Sequence, residues 1–382
     1  MIDSIIEEWM MMKVRKTTLV VVLIIPILVN FIMGWELSKG VIKNIPIAVL
    51  DDDNSSLSRK IIRYFAENET FNVKYRVDTQ AELEKLINSS KVRTAIVIPK
   101  DFSKNVVKGT SPTILMVYDG SHMSIVSTAK MKASEILLTL KTGAAIQMME
   151  GKMNMTESQA YQTALPISFQ NRVLYNPTRN FLYFIVPGFS ASICQTGIAL
   201  SAVLAIQYEM GKRRSAAGYV LGKLLFYAMV GITTLMINMM VLDKVFKIPF
   251  RGSYLTVLIL STGLALAVSA LSTAVSAWVK NRVVAIVAAG LLIIPNSIMA
   301  GYTWPVMAMP ALYRKTAWII PYYHYAGNIR NLFLRGGTIG EFKQDILYLL
   351  CFTAVMFMIA VFGMYIHSIT VKEVENNAID YQ

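Results

Sequence analysis

The hydrocarbon core of a bilayer requires about 20 helical residues at roughly 1.5 Å each. Six segments of this chain meet or approach that length: Thr17 to Trp35, Phe181 to Ile206, Leu224 to Leu242, Tyr254 to Trp278, Val283 to Ala300 and Ile346 to His367. Their spacing is one, then five, with about 145 residues between the first and the second. Proline and glycine within them (Pro26, Pro187, Gly188, Gly263, Gly290, Pro295) are compatible with bundles in which neighbouring helices re-satisfy the backbone. Composition agrees. Residues are 54% hydrophobic and only 16% charged, against about 25% charged in soluble domains. The pattern predicts an α-helical integral membrane protein of six transmembrane helices in a one-plus-five arrangement, interrupted by a soluble insert.

The first span follows Lys13, Arg15 and Lys16, as a secretory signal would. Its apolar run is longer than a signal core, and Gly34-Trp35-Glu36 offers no small-x-small cleavage site, so an uncleaved anchor is the preferred reading. Lys13, Arg15, Lys16, Lys212, Arg213, Arg214, Lys223, Lys280 and Arg282 then fall on one side. Positive residues in short loops mark the cytoplasmic face, so both termini are expected inside. Lys244, Lys247 and Arg251, and a longer outer loop with Arg314, Lys315, Arg330, Arg335 and Lys343, run against the rule. The net charge of +13 divides into +5 on residues 36–179 (19 basic, 14 acidic) and +8 on the termini and short loops. It reports topology and contact with lipid headgroups, and argues against nucleic acid.

Residues 36–180 have the polarity of a folded external domain. Strands are predicted at Ile45–Leu50, Phe71–Val77, Thr94–Ile98 and Thr113–Tyr118, and helices at Ser56–Glu67, Ala81–Ile87, Asp101–Lys108 and Met123–Met149. Their alternation implies an α/β sheet. Asp51-Asp52-Asp53 lacks the ligand spacing and glycine of a calcium loop; a strand-ending turn that caps the next helix accounts for it. Asn54, Asn68, Asn88 and Asn154 head glycosylation sequons, which matter only in a eukaryotic secretory pathway. His122 reads as a surface residue.

No catalytic constellation is present in the sequence. His122, His324 and His367 lie in different regions, and Cys194 and Cys351 sit in apolar runs. Gly218 to Leu224 approaches a phosphate loop but is one residue short and has Leu224 where a hydroxyl must bind magnesium. ATP and magnesium, if used, are expected on another polypeptide. The spans as delimited contain no clearly buried Asp, Glu or His, which argues against an ion-coupled pump working alone. Two loops stand out. Residues 207–222 form a cytoplasmic stretch of mixed charge. Residues 301–345 carry Tyr302, Trp304, Trp318, Tyr322, Tyr323 and Tyr325 among Pro305, Pro310 and Pro321. They are too apolar for a free loop and read as short helices in the outer leaflet, or as a re-entrant segment.

The layout and several motifs resemble the ABC transporter type-2 permease family, in the branch with a large external domain after the first helix. The resemblance rests on the basic N-terminal segment Ile2 to Lys16, Ile45 to Arg59, Ile98 to Ser103, Val117 to Ser121, Tyr175-Asn176-Pro177 before Val186-Pro187-Gly188, Glu209 with Gly211, Gly222-Lys223, and Pro321 to Leu334. It departs at Arg15-Lys16, where the family often has Arg-Asp, and in the shortened stretch between Gly211 and Gly222. It implies an interfacial helix at 1–16, a first membrane helix at 17–35, a five-helix domain at 181–367 and a cytoplasmic tail at 368–382. Two permease subunits, identical or paralogous, would sit above two separate ATPase subunits. Glu209, Gly211, Arg213, Gly222 and Lys223 are the expected coupling residues. Pro187, Gly188, Asn296, Trp304, Pro321 and Tyr322 are expected along a substrate path or gate. The implied function is export of hydrophobic or amphipathic molecules such as drugs or lipids from a bacterial inner membrane, with a periplasmic adaptor as a further partner and no enzymatic activity in this chain. Two alternatives stay open: a sodium-extruding relative, and a membrane-anchored sensor or envelope-organising protein.

Overall fold

A computed structural model describes all residues except 15, 166, 168–171, 207–215 and 380–382, with side chains of the last helix as far as Ile366. The described chain is mostly helical with one small sheet. It divides into two compact units, residues 1–40 with 173–382, and residues 41–172.

In the first unit, α1 (Ile2–Val14) buries Ser4, Glu8 and Met12. Ile2, Ile6, Met10 and Val14 are exposed. Residues four apart share a helix face, and the two sets lie about 200° apart, so one stripe packs inward while the other stays apolar and open. Helix α2 (Lys16–Glu36) is long and apolar enough to cross a membrane. It contains a π turn at Val20–Ile24, where the Ile25 N–H reaches back to the Val20 carbonyl. Pro26 follows. Its ring would crowd the carbonyl four residues back, and the wider turn relieves that clash. Gly197 packs at this point: a Cβ there would come within 2.7 Å of the Val21 carbonyl oxygen.

The second unit is built around strands β1 (Ile45–Asp51), β2 (Phe71–Val77), β3 (Thr94–Ile98) and β4 (Leu115–Tyr118), in the order β2-β1-β3-β4. The first three are parallel and β4 is antiparallel. Parallel neighbours require crossovers, supplied here by α3 (Ser56–Ala66) and α4 (Gln80–Asn88). Ile45, Ile47, Val49, Ile96 and Ile98 meet Ile61, Ile62 and Phe65 of α3, together with α6 (Met123–Met153). Ala48 and Ala95 on the opposite face meet Leu83 of α4. Short helices α5 (Phe102–Lys108) and α7 (Glu157–Ala164) complete the unit. The acidic run is a turn. Asp51 Oδ1 accepts the Asp53 and Asn54 N–H groups, and its Oδ2 accepts from the Ser58 hydroxyl at 2.7 Å. Ser55 and Ser58 form a reciprocal cap on α3, which satisfies two otherwise orphaned donors.

The first unit resumes with α8 (Phe181–Ala202), α9 (Ala216–Lys244), α10 (Tyr254–Trp278), α11 (Arg282–Met299), α12 (Ala311–Ile319), α13 (Pro321–Arg335) and α14 (Lys343–Ile379). With α2, the helices α8 to α11 and residues Lys343–Ile366 of α14 give six that are long and apolar enough to span a bilayer. Small residues such as Ser261, Gly263, Ala265, Ala267 and Ser269 are buried along α10, as close helix packing in lipid requires. Val283, Val287, Leu291 and Ile298 of α11, and Val355, Met358 and Phe362 of α14, are exposed. These wide apolar faces suit a hydrocarbon solvent.

One sequence expectation is corrected. The third span was expected at Leu224 to Leu242, with Lys223 at its start and Ala216–Gly222 in a cytoplasmic coupling segment. Among the described residues the helix already includes Ala216, because the uncharged Ala216–Gly222 stretch continues its turn. Lys223 therefore lies within the helix and is fully buried.

Candidate functional site

Two groups of the expected residues sit at built junctions in the first unit. The first is the break in α8. Pro187 has no N–H, so the helix loses one rung of its ladder there. At the next residue the ladder is opened by an inserted side chain. The Tyr302 hydroxyl accepts from the Gly188 N–H at 2.8 Å and donates to the Phe184 carbonyl at 2.8 Å. It bridges the donor and acceptor that an unbroken helix would join directly. Tyr322 donates its hydroxyl to the Gly188 carbonyl at 2.5 Å. Only glycine admits this approach, since a Cβ at 188 would lie 2.1 Å from the Tyr302 ring. Arg330 closes the junction. Its guanidinium donates to the Tyr302 carbonyl at 2.6 Å and lies over the Phe184 and Tyr302 rings, 4.1 and 4.0 Å from their centroids.

Pro187, Gly188 and Tyr322 are thus brought together. Pro321 begins α13 and positions Tyr322 at its second residue. Asn296 is buried where α11 breaks after Ile293. Trp304 is 52% exposed.

The second junction joins α1 to α9. Lys223 donates to Glu8 Oε1 at 2.5 Å, and the Tyr227 hydroxyl donates to Glu8 Oε2 at 3.1 Å. The Lys223 ammonium also lies over the Tyr219 ring, 5.0 Å from its centroid. Gly222 lets α1 approach: a Cβ there would sit 2.7 Å from the Met1 carbonyl oxygen. Met12 of α1 and Phe226 and Tyr227 of α9 share one buried apolar cluster, with Ile5 packed against it. A buried ion pair like this is costly to break, because the surviving charge is left in a poor solvent. Gly222 and Lys223 therefore fasten the N-terminal helix. Glu209, Gly211 and Arg213 lie outside the described residues.

Sequence reasoning missed Glu8, Tyr227 and the part played by Tyr302. Glu8 and Lys223 are 215 residues apart, and nothing local pairs them. The visible signal was a carboxylate at i+4 from Ser4 and i−4 from Met12, on the stripe opposite the apolar one.

The sequence also compares with known proteins. The pattern of the ABC-2 family transporter protein matches residues 16–362. The probable multidrug ABC transporter permease YbhS of Escherichia coli K12 is 24% identical over 351 residues, covering 88% of this chain and 89% of that one. The probable multidrug ABC transporter permease YbhR of the same organism is 21% identical over 364 residues, covering 92% and 94%. A match over nearly the whole chain, together with six membrane-length helices, establishes that this protein belongs to the ABC-2 transporter family.

Proposed function

We propose that the chain is the permease subunit of an ABC exporter that moves hydrophobic or amphipathic small molecules, drugs or lipids, outward across a bacterial inner membrane. The observation that carries the reading is the buried Glu8–Lys223 pair. It fastens a short amphipathic helix to a membrane-length helix, so displacement of one end is passed to the other. In this reading both termini are cytoplasmic, the spans follow a one-plus-five order and residues 36–180 lie outside. Two permease subunits pair above two ATPase subunits, which supply ATP and magnesium. Glu209, Gly211 and Arg213 contact the ATPase, and Gly222 and Lys223 relay its motion. The path runs between the paired subunits along α8 and α11, past Asn296. Residues 301–345 form an outer gate hinged at Pro187 and Gly188, with Pro321 and Tyr322 on its inner side and Trp304 at its rim. A periplasmic adaptor would meet the external domain.

The test is reconstitution. The purified chain is expected to hydrolyse no ATP alone and to support ATP-driven substrate export from vesicles when its ATPase partner is added. Hydrolysis by the isolated polypeptide, or a complex with the partner that binds ATP but moves no amphipathic dye, overturns the reading.

A further inference from the structure

His324 lies in α13, facing neither the Pro187 junction nor the Glu8 pair. Its side chain is 3% exposed. Nδ1 is 2.7 Å from Asp345 Oδ1 on α14, and Nε2 is 2.8 Å from the Trp318 carbonyl at the end of α12. Both partners accept. A neutral imidazole carries one N–H and can satisfy only one of them; the imidazolium satisfies both. The surroundings favour the charged pair. Asn328 donates to Asp345 Oδ2 at 2.7 Å, so that oxygen is also used as an acceptor. Tyr348 of α14 stacks on the ring with centroids 3.9 Å apart, and its hydroxyl donates to the Ile319 carbonyl at 2.7 Å. The imidazole thus sits where three helices meet.

We infer that His324 is a positioning residue of the outer segment and works as an imidazolium, its two N–H groups tying the end of α12 to α14 through α13. The role of that segment as a gate rests on the export reading; the two-proton staple does not. Asp345 and Tyr348 face the ring from α14, and Tyr323 packs edge-on from α13 itself. The nearby cations Arg314, Lys315 and Lys343 are exposed. On the other elements packed against α13, the titratable side chains are Tyr183 and Cys194 of α8, Tyr254 of α10, Arg282 of α11 and Tyr313 of α12, none of them a carboxylate. Among the described residues Asp345 is thus the single carboxylate that faces the ring, and as an acceptor it balances the imidazolium charge. The staple is complete only when the ring carries both protons: a ring with one N–H leaves either Asp345 or the Trp318 carbonyl without its donor.

The full chain contains three histidines, so nitrogen NMR of histidine-labelled protein in lipid nanodiscs is tractable. In neutral buffer, the signal that disappears in His324→Gln is expected to carry the two-proton signature, and Asp345→Asn is expected to convert it to a single-tautomer signature. A neutral single tautomer in the unaltered protein overturns the inference. In the same nanodiscs, limited proteolysis within residues 301–345 is expected to be faster for His324→Gln and for Asp345→Asn than for the unaltered protein. Equal cleavage rates overturn the positioning role. With the ATPase partner, absence of dye export by the unaltered protein strikes the export reading instead and leaves the NMR result to decide the staple.

Discussion

The hydroxyl of Tyr302 occupies the rung of helix α8 that the Gly188 N–H would otherwise close on Phe184, 2.8 Å from each. A residue more than a hundred positions away thereby repairs a helix that proline has interrupted. Tyr302→Phe keeps the ring and removes the bridge, stranding a buried donor and acceptor. The expected loss is about 1–3 kcal/mol, read as a lower melting temperature of the purified protein. Gly188→Ala forces a methyl into the Tyr302 ring and is expected to cost at least as much. Gly143→Ala, in the long helix of the second unit with no atom near its Cβ position, is the control. It is expected to be neutral, or stabilising by up to about 1 kcal/mol.

Arg330 is held as a flat cation between the rings of Phe184 and Tyr302. Lysine keeps the charge but not the planar stacking surface. Arg330→Lys is therefore expected to loosen residues 301–335 although the charge is conserved. Limited proteolysis in nanodiscs reads this directly, as faster cleavage in the variant; equal cleavage rates would remove stacking from the account.

Breaking the Glu8–Lys223 pair leaves a charge buried between helices. Glu8→Ala is expected to destabilise by about 3–5 kcal/mol, seen as reduced yield of folded protein. The exchange Glu8→Lys with Lys223→Glu restores opposite charges at the same two positions and is expected to recover part of that loss. If the double exchange is no better than Glu8→Ala, the attraction between the two is not what holds α1.

In the second unit, bonds from Ser121 and Arg93 hold the Asp119 carboxyl down at about 2, below the usual value near 3.9. A carboxylate depressed on folding stabilises above its unfolded value, and the contribution is lost as pH falls through the folded value. Acid unfolding of the chain, followed by circular dichroism, is expected to show a component between about pH 4 and pH 2 that is absent in Asp119→Asn. An unchanged acid limb in the variant would assign that component elsewhere.

The spans and the strands were legible because each is a local pattern. An apolar run long enough for a bilayer names its own environment, and alternation in Phe71–Val77 names a half-buried strand. Pro187, Gly188 and Tyr322 were legible as special residues, though not as one junction. The aromatic cluster of residues 302–325 was read as part of an apolar outer segment, yet Tyr302, Tyr322 and Tyr325 are buried and hydrogen-bonded, while Trp304 and Trp318 are exposed. Composition cannot make that division, since all five side chains are amphipathic.

Hydrophobic length and period are properties of neighbouring residues, so the sequence by itself marked out a membrane protein, six helices long and apolar enough to cross a bilayer, and an α/β sheet between the first and second of them. Only the tertiary structure decided that Glu8 answers Lys223, that Tyr302 completes α8 and that His324 finds two acceptors. Those choices depend on which helix faces meet, and a buried polar group takes whatever partner the packing brings within about 3 Å.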